Sequence, residues 1–365
     1  MTFLVPPRDE IKSLLPYVPG KSAEDVAAEY GVFPVIKLAS NENALGSAVD
    51  IAELIQQEAP NVFRYPDSAH SQLRSEIARH YKVDAAQVIL GNGSDEVIQM
   101  LALAFFRAGD EVISSASAFS EYQFAAKIAG ADYKEVPLKG LSVDLPKIVA
   151  AVTPKTRAIF VANPHNPTGT SFSHAELKTA LETIPPTCLL ILDEAYAEFA
   201  DDPAFPKFGE LLVTYPNLVV LRTFSKVYGL AGIRIGYGIG CEEMIGYLNK
   251  VRQPFNINRI CLMAAGKAIQ NQAFVAKSKA LVCGEKDRVS QQLMSHGFDV
   301  CPTQANFLCI SIQQSAADVA HALMQRGVIV RPLTSFNLPQ HIRVTIGSES
   351  ENDAFLTAFF SLQGA

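Results

Sequence analysis

Short apolar runs recur along the first two thirds of the chain: QVIL (87–90), EVISS (111–115), RAIFVAN (157–163), CLLILDE (188–194) and LVVLRT (218–223). Rich in β-branched residues and lacking polar alternation, they read as strands with no wet face. Between them the apolar positions switch to helical spacing. In SQLRSEIARHYK (71–82), Leu73, Ile77 and Tyr81 share one face, and DEVIQMLALAFF (95–106) has the same character. Strands alternating with helices predict an α/β fold with a central, mostly parallel sheet flanked by helices.

The pattern changes after about residue 265. A long helical segment runs through Leu293, followed by strand-like NFLCISI (306–312), GVIVRP (327–332) and HIRVTIG (341–347). These predict a smaller α+β unit. The stretch before Asn41 has prolines and glycines but no core of its own. The expected organisation is therefore an N-terminal segment, 1–40, packing on the small unit and its cleft; a large domain, 41–265; and a small domain, 266–365.

Composition narrows the partners. With 37 acidic against 31 basic side chains in 365 residues, the chain has no basic block of the kind that tracks phosphate backbones, which argues against nucleic acid and for a small molecule. The N-terminus has acids and prolines where a secretory leader needs a basic start and an unbroken apolar core. No apolar run approaches the roughly 20 residues of a membrane span, so the expectation is a soluble, cytoplasmic protein with no membrane association. The six cysteines are scattered without CxxC, and the seven histidines lack an HExxH pairing. They read as reduced core thiols and no metal site.

In open α/β sheets ligands bind beyond the carboxyl ends of the strands, and four strand ends carry polar residues. QVIL runs into GNGSDE, where Gly91 and Gly93 allow a tight bend and Ser94, as an N-cap ahead of Asp95, opens a helix whose N–H groups can hold an anion. A dinucleotide fingerprint would need glycine at position 96, which is Glu. RAIFVAN runs into NPHNPTG, a proline-stiffened loop with two asparagines, Asn163 and Asn166. CLLIL ends on Asp193, a buried carboxylate in need of a cationic or hydrogen-bonding partner, with Tyr196 three residues on. No GxxxxGK[ST] exists to make it a nucleotide hydrolase's magnesium ligand. LVVLRT runs into FSKVYGLAGIRIGY, which places Lys226 among small residues and Arg234 after it.

Pyridoxal 5′-phosphate would account for all four ends. It needs a lysine for a Schiff base, a carboxylate for its pyridinium nitrogen, donors to its ring oxygen, and an anion cradle.

The ordered motifs PYVPGKSAEDVAAEYG, LASNEN, FRYPD, GNGSDE, NPHNPTG, DEAYAEF, RTFSKVYGLAGIRIGY, PFNIN and IRVTIG resemble the fold type I, pyridoxal-phosphate-dependent aminotransferases. Within that class II family they resemble the subfamily that acts on histidinol phosphate. The resemblance covers essentially the whole chain. It implies that Lys226 carries the cofactor and shuttles the substrate's Cα proton, and that Asp193 keeps the ring nitrogen protonated. Asn166 and Tyr196 would hydrogen-bond the ring oxygen and Phe119 would stack on the ring. Gly93, Ser94, Asp95, Ser225, Arg234 and, more weakly, Thr223 would hold the phosphate. Tyr65 would reach the phosphate in a partner subunit, implying a homodimer with shared active sites. Tyr17, the SNEN loop (40–43) with Asn43, Arg343 and a second cation, Arg331, would line the substrate cleft.

The reaction the resemblance implies is amino transfer between L-histidinol phosphate and 2-oxoglutarate, giving imidazole acetol phosphate and L-glutamate in histidine biosynthesis. Three alternatives remain at this stage: an aromatic amino-acid aminotransferase, a decarboxylase of phosphorylated amino acids, and a binding protein on a vestigial enzyme fold. The chain departs from the family pattern at Ala44 and Ser47, where prolines are common. SASAFSEY lacks the usual Pro-Thr, and Phe119 stands where tyrosine is usual; it can stack but cannot donate a hydrogen bond.

Overall fold

The computed structural model describes residues 5–12, 14 and 20–362. Seven strands form the main sheet: β1 Val88–Gly91, β2 Glu111–Ser115, β3 Asp132–Val136, β4 Thr156–Ala162, β5 Leu189–Asp193, β6 Leu218–Thr223 and β7 Gly236–Ile239. Their order is β1-β7-β6-β5-β4-β2-β3. All pairings are parallel except those of β7, which runs antiparallel to both β1 and β6. The predicted α/β fold is what forms. Its five apolar runs give β1, β2, β4, β5 and β6, and each of these strands is buried along nearly its whole length, as expected where helices cover both faces.

Two strands were not foreseen. β3, DYKEV, is an edge strand with mostly exposed polar side chains, so it carries no apolar signature. β7, GYGI, reads as a glycine-rich loop, yet its glycines are what let it fit. A Cβ on Gly236 would lie 2.4 Å from the backbone N of Ser94, so β7 passes directly beneath the helix that follows β1.

Helix α1, Ser71–Tyr81, buries Leu73, Ile77 and Ala78, the face its spacing predicts. Helix α2, Gly93–Phe105, leaves the end of β1. The long C-terminal helical segment is two helices, Arg259–Gln270 and α3 Gln272–Ser295, broken at Asn271, whose side chain caps the second. Beyond it, β8 Asp299–Val300 and β9 Phe307–Ser311 precede helix α4 Ala316–Met324, and then come β10 Arg331–Pro332 and β11 His341–Thr345. These strands make an antiparallel sheet in the order β10-β11-β9-β8.

The segment before Asn41 packs against this smaller sheet region, with Tyr30 meeting His321 and Ala39 O accepting from Arg343. Ile36–Lys37 pairs in parallel with Val328–Ile329, and Leu38 accepts from Thr345 N–H at 2.9 Å. Residues near the N-terminus behave differently. The Arg8 guanidinium donates to Ile128 O at 2.7 Å, against a helix of the large sheet. Among the described residues no helix is long and apolar enough to cross a membrane, and all six cysteines are thiols.

Candidate active site

The parallel strands end along one edge, and a cavity of about 680 Å³ opens there against the smaller sheet. That volume suits a ligand of cofactor or substrate size. It is lined by Gly93, Ser94, Asp95, Phe119, Asn166, Asp193, Tyr196, Thr223, Ser225, Lys226 and Arg234 from the large sheet, and by Arg331 and Arg343 from the smaller one. The sequence singled out every one of these.

Lys226 lies three residues beyond β6, and its Nζ donates to Ser40 O at 3.1 Å while standing 5.5 Å from the Tyr196 ring centroid. It is thus held near neutral and π partners, and among the described residues no carboxylate forms an ion pair with it. Asp193 is the last residue of β5. Its Oδ2 accepts from the Tyr122 hydroxyl at 2.7 Å and its Oδ1 from Ala195 N–H at 3.1 Å. Burial pushes its carboxyl up to about 6, and those two donors pull the other way. A carboxylate in such a position is stabilised by a cation facing it from the cavity.

The neighbouring acid has another task. Side chains alternate across a strand end, so Glu194 points away from the cavity and meets Arg222 at 2.6 Å. Arg222 also reaches Glu198 at 3.0 Å and lies over the Tyr81 and Phe208 rings. This buried ion cluster ties the strand ends together beneath the site.

At the start of α2, Gly93 has φ +76°, and a Cβ there would fall 2.6 Å from a guanidinium nitrogen of Arg234. Glycine is therefore what allows Arg234 to sit over the helix N-terminus. Arg234 donates to Ser225 Oγ at 3.3 Å and to Asp95 Oδ2 at 3.2 Å. Burial raises the Asp95 carboxyl, and Arg234 offsets it. Ser94 lies inside the first helical turn rather than at the cap, which falls to Asn92. Helix-start N–H groups, a serine hydroxyl and a guanidinium converge on one point, an anion site. Thr223 shapes the loop, accepting from Ser225 N–H at 3.0 Å.

Asn166 Oδ1 accepts from Arg343, which also donates to Ala39 O at 2.9 Å. The Asn166 amide is thereby left with its NH₂ as donor. Arg331 and Arg343 are direct cross-strand partners in β10 and β11. Like charges placed opposite one another are unfavourable unless an anion lies between them.

Three expected residues lie elsewhere. Asn43 is turned away from the cleft. Its amide donates to Val227 O at 2.7 Å and Ser278 Oγ at 2.8 Å, so it braces the Lys226 loop from behind. The chain turns between the two asparagines at Asn41, φ +55°, and it is Asn41 that lines the cavity. Tyr65 is outside the cavity and 79% exposed, stacked on Phe255 with ring centroids 4.6 Å apart. Tyr17 lies outside the described residues.

One residue was missed outright, and one was not singled out within the SNEN loop expected at the cleft. Tyr122, the donor to Asp193, lies three positions beyond Phe119 and so on the same face of the helix it enters; that spacing was the available signal. Asn41 had none that separated it from Asn43.

A family profile, aminotransferase class I and II, matches residues 34–359. The histidinol-phosphate aminotransferase of Moorella thermoacetica is 42% identical over 352 residues, 96% of this chain and 91% of that one. That of Shouchella clausii is 43% identical over 350 residues, 96% and 95% of the two chains. The crystal structure of histidinol-phosphate aminotransferase from Sinorhizobium meliloti in complex with pyridoxal 5′-phosphate superimposes with a TM-score of 0.88 at 27% identity, covering 96% of each chain.

Proposed function

This chain belongs to the class I and II aminotransferases, and from that premise we propose that it transfers the amino group of L-histidinol phosphate to 2-oxoglutarate in histidine biosynthesis, using pyridoxal 5′-phosphate. The enzyme class and cofactor follow from the family. The substrate rests on one observation: Arg331 and Arg343 stand opposite each other on the cavity wall, a pair suited to a doubly charged phosphate in one half-reaction and a carboxylate in the other.

The residues present fit the cofactor. Gly93, Ser94, Asp95, Ser225 and Arg234 form the anion cradle, Asp193 offers a carboxylate at the cavity floor, and Lys226 brings an amine into the same cavity. When bound, pyridoxal 5′-phosphate supplies a ring that accepts the electron pair left at the substrate's Cα. Lys226 Nζ would take the proton from that carbon and pass it to the cofactor carbon that receives the amino nitrogen. Asp193 would keep the ring nitrogen protonated. Asn166 and Tyr196 would donate to the ring oxygen, and Phe119 would stack on the ring.

Steady-state kinetics are expected to favour histidinol phosphate over phenylalanine and tyrosine in kcat/KM by about 100-fold or more, the discrimination that loss of a phosphate contacting two guanidinium groups gives. A preference for the aromatic amino acids would assign the chain to that neighbouring specificity. Carbon dioxide release from threonine phosphate without amino transfer would favour a decarboxylase.

We propose further that the chain is a cytoplasmic homodimer organised as segments 1–40, 41–265 and 266–365. The exposed Tyr65–Phe255 stack, with Phe63 75% exposed beside it, supports a surface covered by a second copy from which Tyr65 reaches the partner's phosphate site. Sedimentation equilibrium should return twice the 39.6 kDa chain mass, and a monomer at micromolar concentration would contradict shared sites.

A further inference from the structure

We propose that Asn41 is a positioning residue that forces the Tyr196 hydroxyl to act as a hydrogen-bond donor into the cavity, and that the smaller sheet sets this polarity through Thr345. The inference rests on the reading of the cavity as a pyridoxal-phosphate site.

Asn41 is 1% exposed and sits in the left-handed region, φ +55°, a conformation asparagine accepts more readily than most residues. Its Nδ2 lies 2.9 Å from the Tyr196 oxygen. Its backbone N–H donates to Thr345 Oγ1 at 2.9 Å, and the Thr345 hydroxyl donates to Asn41 Oδ1 at 3.0 Å. Asn306 Nδ2 donates to Asn41 O at 3.2 Å. Thr345 closes β11 and Asn306 precedes β9, so apart from the bond to Tyr196 the bonds given for Asn41 come from the smaller sheet.

The orientation of the amide decides the argument. Were it flipped, its NH₂ would face Thr345 Oγ1, and the Thr345 proton would lose its acceptor at a position 3% exposed. A buried donor without a partner is costly. The amide therefore keeps its oxygen toward Thr345 and its NH₂ toward Tyr196. The Tyr196 oxygen is then an acceptor on that side, and among the described residues it has no other hydrogen-bond partner. Its own proton is left to point into the cavity that Tyr196 lines. Asn166 is set the same way by Arg343, so both ring-oxygen donors are pre-oriented.

The test is the pH titration of the holoenzyme's visible absorption without substrate. It reports the proton on the nitrogen that joins Lys226 to the cofactor. A donor to the adjacent ring oxygen stabilises its negative charge and weakens its hold on that proton; losing the donor raises the titration midpoint. Asn41→Asp keeps size and backbone preference but offers Tyr196 an acceptor, which turns its proton away from the cavity. The midpoint should rise by about 0.5–1 pH unit, the worth of one hydrogen bond. Tyr196→Phe should give a similar rise, and adding Asn41→Asp to it should add nothing.

Thr345→Val, which frees the amide to flip, should give a smaller rise in the same direction, and carries the test if Asn41→Asp does not fold. An unchanged midpoint in the folded variants overturns the proposal. So does a shift that persists in the Tyr196→Phe background, because that would be the direct effect of a new charge. A wild-type protein with no visible band would overturn the cofactor reading instead, and this inference with it.

Discussion

Replacing Lys226 with alanine is expected to reduce transamination by about 10⁴-fold or more while leaving the fold intact. The expectation follows from where the amine is placed. Its Nζ lies in the cavity, hydrogen-bonded to the Ser40 carbonyl and near the Tyr196 ring; Asp95 and Asp193 feel its charge through space, but among the described residues no carboxylate forms an ion pair with it. No other lysine in the cavity wall can substitute, because Lys21 and Lys37 are engaged by Glu29 and Glu42 near its mouth. General base catalysis is worth about 10²–10⁴-fold, and a group that both holds the cofactor and moves the proton loses both roles at once. The variant should still bind the cofactor through the anion cradle, but borohydride should no longer fix it to the chain, as a mass measurement would show. Retention of a tenth of the wild-type rate, or a reducible adduct at full yield, would remove Lys226 from the mechanism.

The fold was legible where burial is two-sided. Strands such as LLILD and LVVLRT have no reason to be uniformly apolar except to be covered on both faces, and they became β5 and β6 at the sheet's centre. The polar residue ending such a run must then lie at the sheet edge, which is how Asp193 and Lys226 could be found without coordinates. The same logic fails for β3 and β7. An edge strand gains little from apolar side chains, and β7 is dictated by a close approach to α2 that no periodicity encodes.

Within the site, residue type was readable and direction was not. SNEN supplies two asparagines one residue apart, and the positive φ at Asn41 decides which of them faces the ligand. Asn43 went to the rear of the Lys226 loop for that reason. Tyr122 escaped notice because its function is a contact with a strand end that lies 71 positions away. Glu194 illustrates the reverse: it sits in the most informative motif of the chain, yet packing assigns it to an ion cluster with Arg222.

Asp193→Asn is expected to stabilise the protein stripped of its cofactor and to disable the loaded enzyme. In the folded chain burial raises this carboxyl from 3.8 to about 6, so the native state binds the proton more tightly than the unfolded one. The sign follows: stability is lost as pH rises from about 4 to about 6, and the full penalty, on the order of 1–3 kcal/mol, is present above that window. Asparagine carries no such penalty. Its oxygen can still accept one of the two bonds now made by Tyr122 and Ala195, and the tyrosine hydroxyl can turn to accept from its NH₂.

The apo variant should therefore unfold at higher denaturant than apo wild type at pH 8 and equally near pH 4. With the cofactor bound the balance reverses. A carboxylate facing a ring cation in a dry site forms a pair whose loss costs about 3–5 kcal/mol, and the transamination rate should fall by about 10²–10⁴-fold. A variant less stable than wild type without cofactor at pH 8 would mean that Asp193 serves the fold. The opposite outcome, a sturdier and inactive protein, identifies a charge that the fold tolerates because the chemistry requires it.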